Sequence, residues 1–336
     1  MRILLRNITF AVLVWSVAAG QLVPNLGGQR AGISSLQFLK IGVGARGAGL
    51  GESMVAVAND VSAIYWNPAG VVLSQNDAVM VYHGEWLVDL KHDFVGVTYH
   101  LSPSDAVGLS LVSLATDDIK VTTETQPLGN GTYFKYSDLG IGLTYSRRMT
   151  EQFSFGATMR YVRENLDVLT IETFLFDLGT YYNMGLGSTR FGVVVSNFGS
   201  DVTPKGTVKL FDGTQTSSFQ SFSPPTVFKL GLAFEPLEDE SQRLTTSFQL
   251  NHPNDNAESL RFGVEYAWQS WLFLRVGLKR TVGESLLGSD GKSADDYSLG
   301  FGVSVPMLFT TTTFDYAFTH FNVLGIVHRI SIALTY

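Results

Sequence analysis

From His328 to Tyr336 the chain alternates apolar and polar residues up to an aromatic end. Successive side chains on a strand point to opposite faces. Ile330, Ile332, Leu334 and Tyr336 therefore share one face, and Arg329, Ser331, Ala333 and Thr335 the other. One such strand suits any half-buried sheet; the constraint comes from its recurrence. The same alternation predicts strands over 77–84, 94–102, 105–116, 138–149, 152–165, 170–184, 189–198, 226–236, 242–252, 258–268, 271–281, 295–305, 309–318 and 327–336. Most reach the roughly 9–11 residues of a tilted membrane-crossing strand.

The links carry independent information. Short ones sit at Ser102-Pro103-Ser104, Met149-Thr150-Glu151, Gly185 to Ser188, Pro236 to Ser241, Gln269-Ser270 and Pro306-Met307. Mostly longer ones fall between them, notably around 117–137, 199–225 and 282–294. Outer-membrane barrels combine short periplasmic turns with longer external loops. With both ends on the periplasmic side the strand count is even. The expected fold is all-β: a transmembrane antiparallel barrel of about 14 strands with a small N-terminal helical, Gly-rich plug.

Charges test which face meets lipid, because an Arg there costs about 2–4 kcal/mol at the midplane. Arg160 shares a parity with Ser154, Gly156 and Thr158, opposite Phe153, Phe155, Met159 and Tyr161. Arg261 and Glu265 align with Gly263, opposite Phe262, Val264 and Tyr266. Arg275 and Lys279 oppose Leu272, Leu274, Val276 and Leu278, and Lys229 and Asp315 follow the same rule. The simplest reading of Arg160, Arg261, Glu265, Arg275 and Asp315 is mutual pairing that fills the lumen, since desolvated ions must be paired or hydrated; the sharper one is an ion path. A soluble sandwich would alternate too, but with many more charges on its polar faces. Only 16% of the residues are charged, against 45% hydrophobic and 12% aromatic. Tyr145, Tyr161, Trp268, Trp271 and Tyr336 fall near strand ends, where interfacial girdles sit.

Residues 1–20 read as a secretory signal: Arg2 and Arg6, an apolar Ile8 to Val17, then small residues Ala18-Ala19-Gly20 before Gln21. The apolar core is shorter than the roughly 20 residues of a spanning helix. Net charge is −7 with no long basic run, which argues against a nucleic-acid partner. The chain has no cysteine, so disulfides and thiolate metal sites are excluded. No metal and no cofactor is expected.

Residues 21–75 do not alternate and form a separate plug segment ahead of a barrel over 76–336. Gly42-x-Gly44-x-x-Gly47 matches a dinucleotide fingerprint formally, yet no strand–helix–strand unit surrounds it. Close packing accounts for it better, because glycine lets backbones approach and accepts positive φ. Gly49 and Gly51 extend the run beyond Arg46. Further on, Asn59 or Asp60 is placed to cap a short helix through Trp66. Pro68 disfavours α conformation at Asn67, and Asn67 is placed to cap a second turn beginning at Pro68. Two short kinked helices are expected.

These stretches carry a resemblance. Phe38 to Gly51, and the box Tyr65-Trp66-Asn67-Pro68-Ala69-Gly70, resemble the PorV/PorQ family of outer-membrane proteins, related to FadL-type channels for hydrophobic compounds. The resemblance implies fourteen strands around an internal amino-terminal plug. It implies a role with the type IX secretion system, receiving cargo protein for surface attachment. A FadL-like passage for hydrophobic small molecules is the alternative it implies.

The external loops hold apolar residues that solvent should discourage: Trp86, Leu87, Val88 and Leu90 in one, Leu210, Phe211, Phe219 and Phe222 in another. Exposed apolar patches mark partner or membrane contact, though such loops also fold over one another. Trp86, Leu87, Leu90, Phe211, Phe219 and Phe222 are the candidate partner-binding residues. Of six histidines, His83, His92, His100 and His328 lie near strand ends. No Gly-x-Ser-x-Gly elbow or His-Glu-x-x-His helix accompanies them. An enzyme is not expected, and the plug argues against an open aqueous porin.

Overall fold

The computed structural model describes residues 32–74, 76–210, 212–282, 296–321 and 324–336. The expected signal segment and Phe211 lie outside these residues. Strands β1 (Ala78–Glu85), β2 (Lys91–Ser102), β3 (Asp105–Ala115), β4 (Tyr136–Arg148), β5 (Phe153–Leu166), β6 (Leu169–Asn183) and β7 (Arg190–Phe198) form one half. The other is β8 (Val227–Glu238), β9 (Gln242–Pro253), β10 (Ser259–Trp268), β11 (Leu272–Thr281), β12 (Asp296–Pro306), β13 (Thr311–Phe321) and β14 (Gly325–Thr335). Every strand pairs antiparallel with its neighbours in sequence, and β14 returns to β1 to close the barrel. The seam runs in register from Ala78↔Thr335 to Glu85↔His328. Lipid offers no partner to an open edge, so this seam is obligatory for a spanning sheet.

All fourteen expected strands are present. β2 begins at Lys91, ahead of the expected 94, because Lys91 and Asp93 face outward where the strand rises past the apolar band while His92 turns into the barrel. Pro236 lies where the β8–β9 register shifts between Phe234 and Leu237; lacking an N–H, it is tolerated at such an irregularity. The link from β5 to β6, Asp167-Val168, is a two-residue turn on the external side, so long external loops are a tendency here and not a rule. The loops carry two-residue ladders, Ile119–Lys120 with Tyr133–Phe134 and Val208–Lys209 with Gln215–Thr216.

Burial follows the predicted parity. Val276, Leu278, Ile330 and Ile332 face out, while Arg275, Arg329 and Ser331 are almost fully buried. Trp268 and Trp271 meet at 5.4 Å beside the β10–β11 turn. The outer surface is an apolar band. The hydrophobic core lies inside the cylinder, where Phe38, Met54, Ile64 and Trp66 are sealed from solvent.

Placing a charge on the outer face tests the membrane assignment. Val276→Arg, mid-strand on β11, should destabilise the folded barrel by about 2–4 kcal/mol, measured by urea unfolding in liposomes. A soluble fold exposing that face would tolerate it.

Candidate functional site

Inside the barrel the amino-terminal segment runs through a 3-10 turn (Gln37–Lys40), α1 (Ala45–Gly49), α2 (Ala63–Trp66) and a second 3-10 turn (Pro68–Leu73). Two short helical turns were expected around Pro68 and are found. The further turns α1 and Gln37–Lys40 lie in the stretch that glycine content marks as irregular. The α2 start is organised by Asp60, whose Oδ1 accepts from Ser62 N at 2.8 Å. Asn67 Oδ1 accepts from Ala69 N at 3.1 Å, capping the turn that begins at Pro68. Asn67 Nδ2 donates to Val55 O at 2.8 Å and Thr180 O at 3.0 Å, joining two parts of the plug to β6.

The glycines of the fingerprint serve packing. Trp66 donates through Nε1 to Val43 O at 3.1 Å and is 1% exposed. A Cβ at Gly42 would stand 2.5 Å from its indole, and one at Gly47 2.9 Å. Gly44 precedes α1 with φ 81. Gly49 lies against Gly300 of β12, and Gly51, with φ +60, lies against the β11 backbone at Leu278. On the opposite wall, Gly156 and Gly179 leave room for Pro68 and Asn67, while Gly70 packs on the Ala58 carbonyl and Ala69 is fully buried. Here the chain needs glycine because backbone meets backbone.

Charged residues fix the plug. Arg46 of α1 reaches Glu265 of β10 through Nε and Nη2 at 3.0 and 3.1 Å, and Asp60 through Nη1 at 2.6 Å. Arg275 bonds the same Glu265 at 2.7 Å and Asp315 at 2.6 Å. The row Asp60–Arg46–Glu265–Arg275–Asp315 thus alternates in sign. Arg261 meets Glu52 at 2.7 Å, and Arg329 lies 3.7 Å from the same carboxylate. Arg160 pairs with Asp177 at 2.7 Å and with Asn197 Oδ1 at 3.0 Å. Several of these partners were missed from sequence. Asp177 had a usable signal, since it lies between outward Phe176 and Leu178. Glu52 and Asp60 had none, because the plug lacks a strand's parity.

Lys229 stands apart. It is buried, its ammonium lies 5.7 Å from the Tyr65 ring centre and 6.0 Å from that of Trp66, and it has no ion pair among the described residues.

At the external end, Asp255 of the β9–β10 loop holds the entering chain. Lys40 Nζ lies 2.9 Å away, Gln37 Nε2 donates at 2.7 Å, and Ser34 Oγ donates as well. Burial alone would raise this carboxyl. The hydrogen bonds from Ser34 and Gln37 and the Lys40 charge outweigh burial and hold it below the usual carboxylate range.

The loop candidates divide. Trp86 packs on Phe321 at 5.3 Å and under the Arg329 guanidinium at 5.1 Å, and Leu90 also packs on the core. Leu87, Phe219 and Phe222 are half-buried, and Phe222 pairs by backbone with Val202. What the β1–β2 loop exposes is Val88, at 89%. Val88 and Asp89 both take φ 58, a conformation that strains a β-branched residue. Beside them opens a recess of about 840 Å³ lined by Val88, Leu90, Ile119, Tyr136 and Ile326 and rimmed by Glu85, Asp89, Lys91, Asp117 and Asp118.

A closed fourteen-stranded cylinder with an apolar exterior and a tied-in plug defines an outer-membrane β-barrel protein. The profile of the family described as "Type IX secretion system protein PorV" matches residues 26–253. The chain belongs to that family. Among solved structures it is similar in fold to the toluene transporter TodX of Pseudomonas putida, at 12% identity and a TM-score of 0.57, covering 90% of this chain and 98% of that one. A FadL homologue of Pseudomonas aeruginosa is similar at 13% identity and a TM-score of 0.51, covering 88% and 98%. No curated protein matches the chain by sequence.

Two predictions test the ties. Arg275→Met strands Asp315 and part of Glu265, and should cost about 3–5 kcal/mol in urea unfolding; adding Asp315→Asn should recover part of it. Asp255 should contribute fully above the ordinary carboxylate pKa and lose its contribution as pH falls through its lowered folded value. The wild-type 34–41 segment should therefore open to pepsin only in strong acid, whereas Asp255→Asn should raise amide exchange there at neutral pH.

Proposed function

We propose that this protein is a PorV-type component of secretion or surface assembly that binds protein partners through its external loops. The observation that carries this reading is the recess beside Val88. It combines a strained, fully presented apolar residue with a cavity of about 840 Å³. Strained backbone of this kind persists where the surroundings over-determine it, and it clusters at binding sites. The filled lumen supports the same reading. A barrel whose bore is occupied by its own polypeptide works most readily through its rim. Trp86 and Leu90 act as the base of the loop, and Val88 is the contact.

The alternative is passage of hydrophobic small molecules, the activity named for the toluene transporter of similar fold. Such sites are lined mainly by apolar and aromatic side chains with few polar anchors. The cavity between plug and wall sets Lys40, Lys229, Arg261 and Lys279 beside Leu39, Tyr65, Trp66 and Val227, more charge than such a site carries, which favours the first reading.

Val88→Asp should abolish co-purification of partner proteins from outer membranes of the source organism. The variant barrel should keep its heat-modifiable migration, which shows that it still folds and inserts. Undiminished recovery of the same partners would reject loop docking at this recess.

A further inference from the structure

We infer that the external end of the lumen contains a binding site for a small oxyanion, a phosphate or carboxylate group, built around Lys229. This inference is independent of the docking proposed above. The cavity there measures about 190 Å³, the liquid volume of about six waters. Its floor is the pair Tyr65 and Trp66 of the plug, and its walls come from β7 to β11. Four of its lining residues are cationic, and none is a carboxylate.

Three of those cations have partners. Lys40 is bound to Asp255, Arg261 to Glu52, and Lys279 lies 3.4 Å from Asp296. Lys229 has none among the described residues, although it is only 7% exposed. The aromatic rings at 5.7 and 6.0 Å offer their negative faces to the ammonium, but they accept no hydrogen bond comparable to that of an oxygen. An ammonium that opens onto this cavity with three donors and no protein acceptor is incomplete. An oxyanion supplies what is missing: a negative charge and several acceptor atoms for lysine, arginine and amide donors. Asn197, Asn251 and Ser259 add neutral polar groups to the same lining. The volume and polarity suit a compact anion. They do not suit an acyl chain, whose apolar length would meet lysine and asparagine.

The test uses the purified full-length barrel in detergent, in Tris-chloride buffer. Inorganic phosphate is titrated by calorimetry and by thermal unfolding, with sodium chloride at matched ionic strength as the reference. The wild type should bind phosphate saturably and melt higher in phosphate than in chloride. Lys229→Met should bind about tenfold more weakly, the loss of one charge-assisted hydrogen bond. Lys91→Met, which removes an exposed lysine at the rim, should leave binding unchanged. The wild-type titration decides even if Lys229→Met fails to fold: a response to phosphate no greater than to chloride overturns the site. Equal phosphate affinity in Lys229→Met overturns the role of Lys229. Acetate arms distinguish a carboxylate from a phosphate preference, and either supports the inference. Decanoate binding without phosphate or acetate binding overturns it in favour of an apolar ligand. Loop docking can fail or succeed without altering any of these results.

Discussion

A sheet immersed in hydrocarbon cannot keep an open edge, and everything else in this molecule follows from the seam between β1 and β14. Closure requires the strands to agree in number and register. About eight strands make a barrel that its own side chains fill. Fourteen enclose a wider space, which must hold water or more polypeptide. This chain supplies the polypeptide, and the inward faces of the strands are shaped to receive it.

Two kinds of contact hold the plug, and they differ in what they specify. Glycines on plug and wall allow backbone to lie on backbone, as at Gly51 against Leu278 and at Asn67-Pro68 against Gly179 and Gly156. That contact sets distance but would allow sliding along the wall. Ion pairs set position. Arg46 engages both oxygens of Glu265, a two-pronged geometry that matches one location only. A buried pair adds little net stability over a well-packed apolar substitute, yet breaking it is costly. Registry is therefore the better account of these charges than strength.

The outer half of this design was legible in the sequence and the inner half largely was not. Period-two alternation reports which face meets lipid, so the strands, their parity and the inward placement of Arg160, Arg261, Glu265, Arg275 and Asp315 could all be read from one dimension. Pairing across the lumen could not. Glu52 meets Arg261 only because the plug folds back inside the cylinder, and nothing local to Glu52 announces that. Trp86 shows the opposite failure. Its size and loop position suggested an exposed contact, but the ring closes over Arg329 and leaves Val88 at the surface. The Asn-Pro-Ala-Gly box was readable as a cap and turn. Its second duty, Asn67 donating to Thr180 O, depends on a strand more than a hundred residues away.

The same arrangement bears on how material could cross or approach this barrel. Opening the bore along the plug would separate Arg46 from Glu265, Glu52 from Arg261, and Lys40 from Asp255. Each separation leaves charges in a space that water must then enter, and the three wall partners lie on β10 or in the loop that leads into it. Binding at the external rim leaves the plug in place. Val88 stands clear of these ties, and the Lys229 cavity sits on top of the plug with Tyr65 and Trp66 as its floor. A ligand in that cavity would touch plug and wall at once, and would fasten the plug instead of displacing it. On energetic grounds, then, the external face is where this molecule can engage partners without first dismantling its interior.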